Sequence, residues 1–402
     1  MQDADKSFDI ICLSHLKWEH TLFQRPQQLM CQFSREHKVI YVAHCSTKEF
    51  FGSLLRGRIK DYVGRYNKNL HYMTMPFLPF SRRIGFLHTM TVLLTALAAT
   101  FLARCLKFRN IYLWLYYPPF VKQMKMFHYK KLIYDCMDLF RGFRASVSNV
   151  QELENNLLRS ADIVFTGGRS LQKSKEGINP HTYCFPSGVD YDHFFKATLP
   201  ETPIPEDISN IRHPILGYFG AVDERIDFGL IDHICKTRLE WSVVFLGPLV
   251  QMERPPIKRP NFHHLGKKKY SDLPGYLKAF DVCLMPFVIS ELTLHISPTK
   301  TPEYLAGGKP VVSTPIPDVV SDYSDVVAIA SEPDEFIKKI DECLTGRQDD
   351  LHIRIRKKAE AKSWGHIAEE MIKIIQSPTP PAPPKSPTLN SSGDGVMKCQ
   401  KG

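Results

Sequence analysis

The stretch SPTKTPEYLAGGKPVVSTPI, residues 297–316, has three parts in a fixed order. A polar turn holding Pro298 comes first. A short helical segment, 302–306, carries one carboxylate, Glu303. Gly307-Gly308 then ends the helix, and Pro310-Val311-Val312 opens a buried strand. Glycine suits the left-handed backbone at a helix end, and paired β-branched residues suit a strand. A loop entering a helix presents unpaired backbone N–H groups, which bind anions well. Glu303, about one turn in, can accept hydrogen bonds from a sugar diol. On spacing alone two readings stand: a nucleotide-diphosphate cradle, or an ordinary helix–strand turn.

Outward from this stretch the chain alternates short apolar runs with helical patterns. FDIICLSHL, KVIYVAH, NIYLWLYYP, KLIYDCMD and DIVFTGG read as strands of a parallel sheet, with QRPQQLMCQFSRE and VQELENNLLRS as helices between them. Residues 196–212 are Pro-rich and polar and read as a linker. The alternation then restarts with HPILGYFG, WSVVFLGP, NFHHLG, DVCLMPF, PVVSTPI and VVAIAS. The expected fold class is α/β, two Rossmann-like doubly wound domains facing a central cleft. The expected units are residues 1–195, a linker 196–212, 213–350, a closing helix over 351–376 at the domain junction, and a Pro/Ser-rich disordered tail, 377–402.

Four segments in this order resemble retaining glycosyltransferases of the GT-B fold, the group 1 type. They are the stretch at 297–316, FPSGVDYDHF at 185–194, ILGYFGAVDERIDFGLI at 215–231 and SWGHIAEEMIKII at 363–375. The second has Ser187 where the family usually has Asn. The resemblance covers roughly residues 8–376 and implies transfer of a sugar from a nucleotide-diphosphate sugar to a saccharide or lipid-linked acceptor, with retention. It implies no metal or other cofactor. Two rivals remain: a same-fold nucleotide-sugar 2-epimerase, and a non-catalytic nucleotide- or sugar-binding scaffold.

The resemblance also implies site residues. Glu303 would hold the ribose hydroxyls. Ser297 and Thr299 lie where backbone amides meet the diphosphate. His295 stands where the family often has a second Glu facing the donor sugar, a departure that supports the scaffold reading. Arg225, after the glycine turn at Gly220, and Lys300 would neutralise the leaving diphosphate; alternatively Arg225 pairs with Asp223 or Asp227. Leu265, Gly266 and Lys267 would meet the base. On the acceptor side, His15, Trp18, Gln24 and Arg25 follow the first strand. Asp138 ends KLIYDCMD, and Gly167, Gly168 and Arg169 open a helix.

Composition narrows the partners. The 402 residues suffice for two domains with sizeable cores. The ten cysteines show neither a CxxC pair nor metal spacing, which favours a reducing cytosol. The N-terminus lacks the basic flank and apolar core of a signal peptide. Residues 1–185 hold 26 Lys/Arg against 13 Asp/Glu, while the whole chain carries +10. A basic first half points to an anionic partner there. With no nucleic-acid motif, the expected partner is an anionic membrane surface or a lipid-diphosphate acceptor. Residues 84–103 are almost wholly apolar, between Arg82-Arg83 and Arg104. A buried or surface-docked helix is expected there, and a membrane span is the rival. The resulting expectation is a cytoplasmic enzyme, peripheral at the inner face of the membrane.

Overall fold

The computed structural model describes residues 7–18, 23–58, 60, 62–81, 84–142, 149–290, 293–294, 296, 298–346 and 349–377. Of the sequence expectations, His295, Ser297, Arg82, Arg83 and the tail beyond Ser377 lie outside them.

The first sheet has eight strands: β1 (Asp9–Leu13), β2 (Val39–Cys45), β3 (Val63–Arg65), β4 (Leu70–Pro76), β5 (Ile111–Leu115), β6 (Lys131–Cys136), β7 (Ile163–Thr166) and β8 (Thr182–Cys184). Their order is β3-β4-β2-β1-β5-β6-β7-β8. Every pairing is parallel except β3 with β4, where Val63 faces Met73. Strand β1 is buried at all five positions, as a strand covered on both faces requires. Two apolar layers cover the sheet, one containing Ile10, Phe33 and Trp114, the other Ile11, Leu113 and Tyr134.

The second sheet is wholly parallel: β9 (Ile215–Phe219), β10 (Ser242–Leu246), β11 (Phe262–His264), β12 (Val282–Met285), β13 (Val311–Ser313) and β14 (Ala328–Ile329), in the order β11-β10-β9-β12-β13-β14. In both sheets the chain steps outward on one side, then crosses to the other. The switch lies between β1 and β5 in the first and between β9 and β12 in the second. Ligands of such sheets bind beyond the carboxyl ends of the strands at these switch points.

Two chain segments join the halves. The segment read as a Pro-rich linker is clamped to the second sheet's layer rather than loose. Ala197 and Ile208 are buried, and Lys278 Nζ donates to the carbonyls of Leu199, Pro200 and Thr202 at 2.9, 2.7 and 2.8 Å. The closing helix is in fact two helices, Asp349–Ala361 and Trp364–Gln376. Ser363 interrupts them because its hydroxyl caps the second, accepting from the His366 N–H at 3.3 Å. The first helix packs Ile355 and Ala359 into the second domain's core. The second packs Trp364, Ile367, Met371 and Ile375 into the first domain's core. At the crossing, Val189 N–H donates to Lys362 O at 2.9 Å and Trp364 N–H donates to Val189 O at 3.1 Å.

Candidate active site

The stretch that opened the sequence analysis forms a helix over Lys300–Ala306 between β12 and β13, on the second sheet's switch-point side. Tyr304 faces the core, fully buried, and its hydroxyl accepts from the Phe219 N–H at the end of β9, 3.0 Å away. That contact fixes the helix against the strand. Glu303, one position earlier, is half-buried. Burial pushes its carboxyl up to about 8, with the nearby Lys300 ammonium pulling the other way. Burial in turn pushes the Lys300 ammonium down, opposed by Glu303. Lys300 Nζ lies 5.8 Å from the centroid of the Tyr218 ring, and its stem runs over Gly220. Thr299 precedes the helix without a capping hydrogen bond from its side chain and is exposed. At the helix end, Gly308 has φ +71, the left-handed turn the sequence predicts.

The glycine turn after β9 is built by two backbones in near contact. Gly220 and Gly247 both have large positive φ, and a Cβ on Gly247 would lie 1.8 Å from Gly220 O. Only glycine fits there. The loop that follows is tied to the end of β12: Asp227 N–H donates to Pro286 O, and Val288 N–H donates to Arg225 O, both at 2.8 Å. The Arg225 backbone is therefore held at the cleft. Its guanidinium forks onto Asp223, Nε to Oδ1 at 2.9 Å and Nη2 to Oδ2 at 2.6 Å. Asp227 instead caps the next helix through the Leu230 N–H. Arg225 and Lys300 are near enough that each acts on the other's field. The fork is the pairing with Asp223 that the sequence offered as the alternative, and Lys300 is the cation that acts on Glu303.

The first domain contributes from across the cleft. Burial pushes the Asp138 carboxyl up, and the Arg225 guanidinium opposes it. His15 follows β1 and packs against Tyr117 and Phe140, 5.3 and 5.6 Å between ring centres. These two rings follow β5 and β6, so His15 sits at the first sheet's switch point.

Other expected acceptor-side residues are placed elsewhere. Trp18 is 3% exposed and packs among Phe23, Tyr41, Tyr66 and Tyr72, so its ring belongs to the core. Arg25 is buried beneath the cleft: Nε donates to Asp135 Oδ1 at 2.9 Å, and a second nitrogen donates to Phe185 O at 2.7 Å. Gln24 starts the helix Arg25–Phe33, its N–H donating to Gln27 Oε1. Arg169 reaches the other domain, Nε to Asp322 Oδ1 at 2.6 Å, which makes it an inter-domain tie. Leu265 N–H is committed to Phe245 O, and Gly266 O accepts from Gly247 N–H, so those backbone groups complete the sheet edge. Lys267 is exposed, whereas its neighbour Lys268 is tied to Asp207.

Sequence reasoning missed several residues. Tyr270 stacks on His193 at 4.2 Å and 10°, joining the domains beside Glu303, whose charge with Asp190 adds to burial in raising the Tyr270 hydroxyl. The FPSGVDYDHF signature explains itself here: Asp190 caps a short helix, and Phe194, fully buried, stacks on Phe219 at 5.8 Å. The Thr301 hydroxyl, inside the Glu303 helix, is buried without a hydrogen-bond partner among the described residues.

Comparison with known proteins agrees with this arrangement. Residues 213–346 match the family model described as Glycosyl transferases group 1. The second domain is a group 1 glycosyltransferase domain. A curated relative, TuaH of Bacillus subtilis (strain 168), is named as a candidate teichuronic acid biosynthesis glycosyltransferase. It is 23% identical over 282 residues, spanning 65% of this chain and 70% of TuaH. Among solved structures, an E. coli trehalose-6-phosphate structure with bound UDP-2-fluoro glucose superposes with a TM-score of 0.64 at 10% identity, covering 92% of this chain and 100% of that one. Sucrose-phosphate synthase from Thermosynechococcus elongatus gives 0.60 at 13% identity, covering 92% and 98%. The described residues have the GT-B architecture of two Rossmann-like domains.

Proposed function

We propose that this protein transfers a sugar from a nucleotide-diphosphate sugar to a saccharide or lipid-linked acceptor, with retention at the anomeric carbon. The observation that carries the reading is Lys300, laid over Gly220 and Tyr218 on the switch-point side of the second sheet, with Glu303 and Arg225 both acting on its charge. Glu303 would accept hydrogen bonds from the ribose diol. Lys300 and Arg225 would meet the charge that grows on the leaving diphosphate. The acceptor oxygen would attack the anomeric carbon on the face the diphosphate leaves, and its proton would pass to the departing phosphate oxygen. No metal is required by this scheme, because two fixed cations supply the positive charge. His15 and Asp138, from the first domain, would face the transferred sugar.

The finer reading is a cytoplasmic, membrane-peripheral enzyme of surface-polysaccharide or glycolipid assembly. Support comes from the basic first half and from the relation to a protein named for teichuronic acid synthesis. Calorimetric titration with a panel of nucleoside diphosphates and their sugars tests the function. Binding of at least one donor, and slow donor hydrolysis without acceptor, are expected. A chain that binds no nucleotide sugar is not this enzyme.

A further inference from the structure

The helix Gly85–Cys105 is packed the wrong way round for a helix facing water. Its inward stripe is small: Thr91, Thr95, Ala96, Ala99 and Ala103 lie against the first sheet. Its outward stripe is large and apolar: Phe86 is 70% exposed, Leu97 58% and Phe101 71%. The neighbouring helix Thr47–Leu55 buries none of its residues and leaves Phe51, Leu54 and Leu55 exposed. Both helices touch Phe77 near their N-terminal ends. His44 stacks on Phe77 at 4.9 Å, Phe77 stacks on His88 at 6.0 Å, and the Thr47 hydroxyl donates to Phe77 O. Exposed Phe80 lies in the connecting loop. Large apolar side chains turned outward along two neighbouring elements mark an interaction surface.

Charge identifies the occupant. Residues 46–60 and 84–107 hold six Lys/Arg and one Asp/Glu. The single acid, Glu49, is paired with Lys17. A two-fold contact with a second copy would set this basic rim against itself. An anionic bilayer complements it, accepting the apolar side chains and neutralising the rim. Spanning is disfavoured, because the inward stripe covers Ile40, Val42 and Met73 of the sheet.

We propose that the outward stripe of Gly85–Cys105, with Thr47–Leu55 and Phe80, is the face on which this protein rests on an anionic bilayer. The inference rests on the membrane reading above and adds its surface and orientation. The N-terminal ends of both helices lie at the carboxyl edge of β2 and β4, which also carries His15 and Asp138, while the C-terminal end of Gly85–Cys105 returns to the amino edge, where Lys38 Nζ donates to Leu106 O at 2.9 Å. Docking there lays this face of the first domain along the bilayer, with the Phe80 end of the contact on the side of the cleft mouth, where a lipid-linked acceptor would present its head.

The test is sedimentation of the full chain with vesicles of phosphatidylcholine alone or mixed with phosphatidylglycerol. Binding to the mixed vesicles only, weakened by salt, is expected. Leu97→Ser with Phe101→Ser should lower partitioning about tenfold or more, and Arg104→Glu with Lys107→Glu should also lower it. Both pairs are exposed, and donor binding by calorimetry should be unchanged in each. Loss of donor binding in the native chain would strike the enzyme reading and leave the docking result standing. Equal partitioning of the serine variant, or no binding to any vesicle, overturns the surface. Dimer dissociation in that variant without vesicle binding assigns the face to a second copy. Retention of the native chain through a carbonate wash assigns a span.

Discussion

Lys300 lies so close over Gly220 that a Cβ on the glycine would meet Lys300 Cε at 2.0 Å. One residue comes from the turn after β9 and the other from the helix that carries Glu303, so the contact joins the two elements of the proposed donor site. Gly220→Ala should therefore displace Lys300 as well as strain a backbone at φ +147. A loss of about 1–3 kcal/mol of stability is expected, with weaker donor binding. Thermal unfolding and calorimetry on the same variant check both, and an unchanged pair of values refutes the coupling.

Glu303 has a two-part signature. Glu303→Ala should weaken nucleotide-sugar binding by about 1–3 kcal/mol, roughly two hydrogen bonds of about 0.5–1.5 kcal/mol each. Its raised carboxyl also sets a pH dependence. From an ordinary 4.5 to about 8 the folded state holds a proton that the unfolded state releases, so its contribution to stability falls as pH rises through that window. Glu303→Gln should remove that fall, on the order of 2 kcal/mol, in denaturant titrations at the two ends of the window.

The Arg225–Asp223 fork predicts a split in kinetics. Removing Arg225 or Lys300 should lower turnover more than it raises KM, because the diphosphate charge grows in the transition state. The double variant should be less than additive if both act on one group. Asp223→Asn should mimic part of the Arg225→Ala loss, since Asp223 holds the guanidinium in place. A turnover unmoved in all four variants rejects the diphosphate role.

The inter-domain tie at Arg169 contains two buried carboxylates, Asp318 and Asp322. Burial and then Asp322 push the Asp318 carboxyl up to about 6. Between its ordinary 3.8 and that value, rising pH removes stability. Asp318→Asn should therefore raise stability at neutral pH by about 1–2 kcal/mol, with little effect near pH 4. Equal unfolding midpoints for variant and native chain across that range would count against it.

Phe194 joins the crossing segment to the second core through its stack on Phe219. Phe194→Ala should cost about 3–5 kcal/mol, the range for emptying a fully buried aromatic site. Chemical denaturation measures it.

The strands were legible wherever an apolar run was long and uniform. All six of the second sheet and five of the first stand where the sequence predicts them. Strands β3, β4 and β8 escaped, because VGR and TYC are only three residues long and LHYMTMP interleaves polar side chains. The nearness of Lys300 to Glu303 and Arg225 was legible because each lies in a local pattern. Trp18 and Arg25 misled, because burial depends on partners far along the chain: Arg25 meets Asp135 across 110 residues. Tyr270 carries no local signal, since its stacking partner His193 comes from the other side of the linker.

The crossing at Val189 and Ser363 has a mechanical consequence. Two segments pass between the domains, and hydrogen bonds from Val189 to Lys362 and Trp364 hold them side by side. A body joined at one point can pivot freely, but one joined by two adjacent threads turns like a book on its spine. Any opening of the cleft must swing about this spine, so the far edges of the two sheets travel most. Side chains next to the spine, Phe194 and Tyr270 among them, keep their partners while the covers part.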